Sequence, residues 1–512
     1  MDTLQEIVFI LDRYKVRQIE VLTNADNPKD SRYAECFSGL RAGKWTTDRE
    51  LADHFGFEQD SKSFVRFKNE VKKRLYNSLL FIDHTLPGLN DYEGTYMWLM
   101  QQWAMTQTLF QKGAMQAGME LAEQLLPVAL KYEHYNTAFE IIKAIQTNAA
   151  QLPAYWKDFA KIQEQYREIK EIYMAEITAR EAYEELVFPL VHKKGFKKSH
   201  ADDARALTAS LKPFADRVQS IFFQNFYRII DLYGDVLEHN WNAALEKARS
   251  AKSFFQQKQI QPIFFISAFA NQEAGCLVML NRFSEARTVV AEMLAVLEDG
   301  SFNWFKMQEL DTVACFYATD YLDAWNTCRA MLRHPRFKEI SAADQENWRL
   351  FQGYLYLLAK AGALQLPTAE KGEVEKFRLS SWLNDLPMLS QDKRGSNIPI
   401  LLIQAFFLLL DDRMDEFDNR IEALRKYRQR NLSPDDEHFR TDCFIRLLEL
   451  VPKNGYKIAA IKAGAPKWLE KMSSVSTDIL DRSYEIEVVP YERMWRWLNN
   501  ILEHKPMEDR HA

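Results

Sequence analysis

Hydrophobic residues recur every three or four positions along most of this 512-residue chain, which is the spacing of one face of an α-helix. The pattern begins in residues 1–22, stops at the breaker-rich stretch 24–28 and resumes near Asp30. It ends in a final helix predicted for residues 491–502, which we expect to cap the array. Only residues 485–489 favour a short extended segment. The pattern predicts an all-α fold.

Residues 30–83 carry the signals of three helices, the third of which is long and starts near Ser61. Thr47 and Glu50 have the spacing of a capping box, and Gly56 ends the short second helix. A helix, a short capped helix, a glycine turn and a long helix form the layout of helix-turn-helix and winged-helix modules, which this segment resembles. The resemblance places the long helix where such modules carry the recognition helix.

An aromatic residue followed three positions later by alanine recurs at the start of several predicted helices. The ring wedges between consecutive helices, and the small residue one turn later lets two backbones approach closely. In this feature the chain resembles the tetratricopeptide-repeat family, although intervals of 42 and 38 residues exceed the family's roughly 34. The resemblance implies an irregular α-solenoid that binds a protein or peptide partner. The pairs are Tyr135 with Ala138, Trp241 with Ala244, Phe283 with Ala286, and Tyr321 with Ala324.

Two departures from the family pattern limit what the resemblance implies. In a later hairpin Phe417 occupies the aromatic position, but Arg420 stands in the place of alanine. Some family members bind a terminal carboxylate with Lys and Asn from successive helices, and the resemblance does not extend to that clamp. The corresponding positions here hold Ile229, Tyr233, Asn271, Gly275, Glu309 and Val313.

Residues 154–190 and 201–238 each have the periodicity of a long helix, and they predict an extended antiparallel hairpin over residues 154–238. Pro213 is expected to kink the second helix. The tip is basic and carries one aromatic ring, so it is a candidate contact for phosphate or an acidic surface, or else a solvated turn. Its candidate residues are Lys193, Lys194, Phe196, Lys197 and Lys198.

These patterns divide the chain into three predicted domains. Residues 1–90 form the N-terminal helical module, and residues 91–362 form tetratricopeptide-like repeats that include the long hairpin. The loosened sequence after Gly362 marks the boundary to residues 363–512, which hold C-terminal helical repeats and the capping helix.

Composition and charge narrow the class of protein. Only 17 Gly and 16 Pro leave few of the turn residues that β-rich folds need. The five cysteines form no CxxC pair and predict buried thiols in a reducing compartment. The N-terminus lacks the basic and apolar pattern of a secretion signal, and the most apolar stretch, 398–410, is too short to cross a bilayer. We therefore expect a cytoplasmic protein without a membrane partner.

The motifs of common enzyme classes are missing from the sequence. It has no Gly-rich phosphate loop, GxGxxG, HExxH, GxSxG or kinase signature, and its ten histidines are dispersed. We therefore expect no catalytic residues, no metal ligands and no cofactor.

A local basic patch stands out in a chain whose net charge is −6. The helix that starts near Ser61 carries six basic residues and the single acid Glu70. Nucleic acid, an acidic protein partner and a merely solvated helix face each account for it. An apolar stripe on the same helix favours the third reading. The basic residues are Lys62, Arg66, Lys68, Lys72, Lys73 and Arg74.

Two functions of different classes follow from these observations. The leading hypothesis is a non-enzymatic scaffold or adaptor whose helical-repeat surface holds protein partners. The alternative is a regulator in which residues 30–83 bind DNA and the repeats sense a peptide or protein. The environment of the basic side chains of residues 62–74 discriminates between them.

Overall fold

The computed structural model describes residues 4, 5, 7, 8, 11, 28–79, 82, 91–192, 198–386, 398–431, 439–474 and 487–503. These residues contain 23 α-helices, two short 3₁₀ helices and no strand, so the all-α prediction is confirmed. The chain forms two compact units, Met1–Tyr173 and Met174–Ala512. The domain boundaries predicted at residues 90 and 362 stay predictions.

The first unit begins with a three-helix module and continues with antiparallel helix pairs. Its helices are α1 (Pro28–Arg41), α2 (Asp48–His54), α3 (Lys62–Leu79), α4 (Asp91–Gln111), α5 (Met115–Lys131), α6 (Tyr135–Ala149) and the first half of α7 (Phe159–His192). Helix α4 packs against α5, and α5 packs against α6. Phe139 of α6 lies against Tyr166 of α7, with ring centroids 5.7 Å apart.

The predicted capping box starts α2. The Glu50 N–H donates to the Thr47 hydroxyl at 3.3 Å, and the Thr47 N–H donates to the Glu50 carboxylate at 3.2 Å. Two backbone donors at the start of α2 are thereby satisfied, which fixes where the helix begins. After α2 the chain turns at Gly56, whose φ of +71° favours glycine.

The second unit holds the remaining helices, and most of its consecutive helices pack against each other. They are α8 (Lys198–Ala215), α9 (Ile221–Val236), α10 (Trp241–Gln256), α11 (Ile263–Met279), α12 (Phe283–Leu294), α13 (Phe302–Ala318), α14 (Tyr321–Leu332), α15 (Ala342–Lys360), α16 (Thr368–Lys376), α17 (Leu379–Asn384), α18 (Ile398–Leu410), α19 (Met414–Asn431), α20 (Phe439–Lys453), α21 (Ile458–Gly464), α22 (Pro466–Ser473) and α23 (Tyr491–Leu502).

Helices α9 to α14 are joined by short turns, so neighbours run antiparallel and alternate helices run parallel. The odd-numbered helices α9, α11 and α13 therefore begin at one edge of this array, and α10, α12 and α14 begin at the opposite edge. Helices α11 and α13 also contact each other. This alternation determines which side chains share an edge.

The prediction of two long helices over residues 154–238 is confirmed for the first helix and wrong for the second. Helix α7 is continuous, but residues 201–238 form two helices, α8 and α9, that pack against each other. The Ser220 hydroxyl caps α9 by accepting from the Phe223 N–H. The buried Gln224 amide donates to the carbonyls of Ala215 and Val218, both at 2.9 Å. These bonds satisfy the polar groups that the break exposes.

The final helix α23 has the predicted bounds, but its contacts differ from those of a cap that covers only the last helices. Arg493 donates to the carbonyls of Phe316 and Tyr317 at the end of α13, at 2.5 and 3.1 Å. Tyr491 stacks on Phe444 of α20 with ring centroids 4.5 Å apart. Helix α23 thus links helices from early and late parts of the second unit.

Candidate functional site

The six basic side chains of α3 fall into two groups. Lys68 donates to Asp48 on α2 at 2.7 Å, and Arg74 pairs with Glu70 at 3.1 Å while its guanidinium lies 4.2 Å from the Tyr33 ring centroid. These two cations hold the module together and are not available to a ligand without breaking those contacts.

The other basic side chains of α3 face outward to different degrees. Lys62, Arg66 and Lys73 are exposed, and the structure shows no acidic partner for them among the described residues. Lys72 is half-buried, with its ammonium 5.6 Å from the Tyr76 ring centroid. The exposed cations line a shallow depression of about 440 Å³ that also includes Asn69.

The apolar stripe of α3 keeps this basic face turned outward. Phe64, Phe67, Val71 and Leu75 are all buried in the core of the three-helix module. Arg32 from α1 donates to the Phe55 carbonyl at 2.6 Å. Because four buried side chains fix the rotation of α3, the exposed cations lie on one face of the module.

Four candidate residues of the predicted basic tip lie outside the described residues. They are Lys193, Lys194, Phe196 and Lys197. Lys198 begins α8, but its side chain is also outside the described part. The proposed contact at this tip stays a prediction.

The repeated aromatic and alanine pairs lie where helices meet. Ala138, Ala244, Ala286 and Ala324 are completely buried, as the pattern predicts. Their aromatic partners differ: Trp241 and Tyr321 are buried, whereas Tyr135 and Phe283 are half-buried. These residues serve packing. Their assignment to tetratricopeptide-like repeats stays a prediction.

The positions equivalent to the family's carboxylate clamp are not arranged as one. Ile229, Gly275 and Val313 are buried, and Glu309 pairs with Lys306 at 2.7 Å. The other two residues, Tyr233 and Asn271, are half-buried and uncharged. None of these six positions therefore supplies a cation to bind a carboxylate.

A different surface emerges at the edge where α9, α11 and α13 begin. Phe264 in the first turn of α11 is 52% exposed, and Phe302 at the start of α13 is 53% exposed. Phe222 at the start of α9 and Phe254 at the end of α10 are half-buried at the same edge. We call these four residues, Phe222, Phe254, Phe264 and Phe302, the aromatic edge.

Cationic side chains accompany the aromatic edge. The Arg228 guanidinium lies 4.3 Å from the Phe254 ring centroid, and the Lys258 ammonium lies 5.1 Å from it. Lys306 lies 5.8 Å from the Phe302 ring centroid. Burial lowers the pKa of Arg228, since it disfavours the charged form of a group in apolar surroundings. Aromatic rings with arginine are the composition typical of interaction hot spots.

The sequence did not reveal the aromatic edge. Phe264 and Phe265 are adjacent, yet Phe264 is exposed while Phe265 is buried and meets Phe222 edge-on at 5.5 Å. Which of two neighbouring rings faces solvent depends on helix rotation. The available signal was the recurrence of Phe at the start of alternate helices.

The described residues also bear on metal binding, membrane insertion and cysteine chemistry. No group of three or more His, Cys, Asp and Glu residues in this part of the chain could hold a metal ion. No helix there is both long and apolar enough to cross a membrane. All five cysteines are buried and none forms a disulfide, and burial raises the pKa of Cys36 and Cys315 to about 12.

Comparisons with protein-family models, with curated protein sequences and with solved structures each found no significant match. The function is therefore inferred from this chain's own residues.

Proposed function

We propose that this protein is a non-enzymatic scaffold that holds a partner protein against the aromatic edge of its helical array. The observation that carries the proposal is the exposure of Phe264 and Phe302 on adjacent parallel helices. Exposed large apolar side chains that share one surface are typical of protein-interaction sites, whereas scattered single ones are ordinary.

The neighbouring charges indicate what the partner offers. Arg228 and Lys258 lie beside the Phe254 ring, so a partner surface with apolar side chains and acidic residues at its rim is complementary. Lys306 lies beside the Phe302 ring but is already paired with Glu309 and Asp344. The rings supply contact area, and the cations supply orientation and a faster encounter.

Affinity capture from cells that naturally express the protein tests the scaffold proposal. The double variant Phe264→Ser, Phe302→Ser removes both exposed rings. Leu322→Ser is the matched control, because Leu322 is 43% exposed but lies at the start of α14, on the opposite edge. We expect specific partners captured by the wild-type chain to be lost with the double variant and retained with the control. Equal capture by all three proteins would contradict the proposal.

A second candidate function is supported by the N-terminal module. Three cations of α3 are exposed on one face: Lys62, Arg66 and Lys73. With 18 residues, α3 is about 27 Å long. A cationic helix of this size fits the major groove of B-form DNA. This function would make the chain a DNA-binding regulator. Binding of duplex DNA that weakens steeply with salt would support it.

A further inference from the structure

A groove of about 950 Å³ opens in the second unit between α15, the short helices α16 and α17, and the hairpin of α18 and α19. None of the residues of the aromatic edge lines it. Its volume is near the upper end of the range for small-ligand sites.

One wall of the groove is a stack of aromatic rings. Phe377, between α16 and α17, lies parallel to Tyr356 of α15 with ring centroids 4.4 Å apart. Phe377 also stacks on Phe407 of α18, with ring centroids 5.4 Å apart. Rings from three separate elements thus form a continuous apolar surface, and each ring restrains the next.

Most charges around the groove already have partners. Lys360 pairs with Asp411, and Arg413 donates to both carboxylate oxygens of Glu416 at 2.6 and 2.7 Å. Arg378 donates to the backbone carbonyl of Phe377 at 3.1 Å. The carboxylate of Glu375 lies exposed on the groove's surface.

Arg420 is the exception among the groove's cations. Among the described residues, its buried Nε has no hydrogen-bond partner and no carboxylate is paired with its guanidinium. Burial lowers its pKa, because the apolar surroundings disfavour an unpaired charge. A half-buried cation without a partner is less favourable in the folded protein than a paired one, and a ligand carboxylate would supply the missing anion.

Gln404 provides a second unpartnered polar atom in the same groove. It is the one polar residue in the apolar helix α18 and is only 7% exposed. Its Oε1 is buried and has no donor among the described residues. Arg420 and Gln404 thus both line the groove, and each has one buried polar atom without a partner.

Arg420 also departs from the aromatic and alanine pattern of the other hairpins. Phe417 and Arg420 have the same spacing as Trp241 and Ala244, but alanine at that position lets two helices touch. Arg420 stands in the place of that alanine, and its side chain lines the groove.

We propose that this groove binds a peptide segment of a protein, with a carboxylate on Arg420, a backbone N–H on the Gln404 amide oxygen, and an apolar side chain against the rings of Tyr356, Phe377 and Phe407. A peptide supplies both a carboxylate and a hydrogen-bond donor. A fatty acid at neutral pH has no donor, so it would leave Gln404 unsatisfied. The inference does not depend on the aromatic edge.

Selection of random dodecapeptides on the immobilised full-length protein tests this proposal. Peptides recovered should contain Asp, Glu or a free C-terminal carboxylate close to Leu, Phe or another apolar residue. A selected peptide should bind Arg420→Ala ten- to a hundredfold more weakly, because charged hydrogen bonds are strong. Arg425→Ala, a change on the exposed face of the same helix, should bind like the wild type.

Two further measurements keep the proposal falsifiable. Converting the peptide's carboxylate to a carboxamide should weaken binding to the wild type and have little effect on Arg420→Ala. Gln404→Leu should weaken peptide binding while raising the urea midpoint, because it removes an unsatisfied buried acceptor. Recovery of no peptide, equal affinity for Arg420→Ala, or binding of dodecanoate without any peptide would overturn the proposal.

Discussion

Phe264 and Phe302 occupy the first turns of two parallel helices that contact each other, and each ring is more than half exposed. In both cases the helix also carries a buried Phe close by, Phe265 on α11 and Phe305 on α13. The buried rings account for the packing of the array. The exposed rings contribute less to this packing, and the scaffold proposal assigns them to contact with a partner.

The first prediction separates packing from binding on one helix. Phe305→Ala should lower the free energy of unfolding by about 3 to 5 kcal/mol, because Phe305 is completely enclosed. Phe302→Ala should change it by under about 0.5 kcal/mol, since that side chain is mostly in solvent. Urea denaturation of both variants measures the difference. A large loss for Phe302→Ala would mean that this ring is structural.

The second prediction concerns the buried alanine of α10. Ala244→Phe should lower the free energy of unfolding by about 1 to 3 kcal/mol, because a ring overpacks a close helix crossing. Asn242→Phe on the exposed side of the same helix is the control and should have little effect. Unchanged urea midpoints for both variants would show that α10 does not pack closely at Ala244.

Local signals predicted much of the fold. The capping box at Thr47, the bounds of α23 and the burial of the four repeat alanines follow from residue types a few positions apart. These features are set within one or two helical turns, so the sequence contains them directly. The resemblance to a particular repeat family is not tested by any of them.

Features that depend on distant partners could not be predicted. At the break between α8 and α9, the side-chain amide of Gln224 donates to the backbone carbonyl of Ala215. Lys68 is not available to a ligand because it forms an ion pair with Asp48, which lies on another helix. The groove depends on two polar atoms, of Gln404 and Arg420, that lack partners only in the folded chain.

The third prediction is a pH dependence in the first unit. His134 is buried against the ring of Tyr92, with centroids 4.5 Å apart, and burial lowers its pKa to about 4. An unfolded histidine has a pKa of about 6.5, so the unfolded state binds the proton first as pH falls. The stabilising effect of the neutral ring is therefore complete above about pH 6.5 and declines as pH falls towards 4.

Urea denaturation at pH 7.5 and pH 5.0 measures this effect. The wild-type chain should lose roughly 2 kcal/mol from His134 over this range, at about 1.4 kcal/mol for each pH unit below the unfolded pKa. His134→Phe should lose less stability by about that amount, because it cannot take up the proton. Equal pH dependence in the wild type and His134→Phe would contradict the assignment.

The fourth prediction tests the DNA-binding alternative. If α3 binds duplex DNA, replacing Lys62, Arg66 and Lys73 together with Ala should flatten the slope of log K against log salt by roughly 2 to 3, at about 0.9 for each lost phosphate contact. The control triple variant replaces exposed cations on α7 and should keep the slope. The control positions are Lys161, Arg167 and Lys170.

Fluorescence anisotropy with a labelled duplex over a range of salt concentrations provides the slope. Lys68 is omitted from the variant because its ion pair with Asp48 would confuse binding with stability. No binding at low salt and micromolar protein, or an unchanged slope in the triple variant, would remove the support for a DNA-binding function.

Site-specific photo-crosslinking in living cells tests the scaffold proposal most directly. A photoreactive phenylalanine analogue replaces Phe264 in one strain and Leu322, on the opposite edge, in another. After irradiation we expect a defined crosslinked partner protein from position 264 and none of that partner from position 322. No crosslinked protein from position 264, or the same products from both positions, would contradict the claim that the aromatic edge holds a partner.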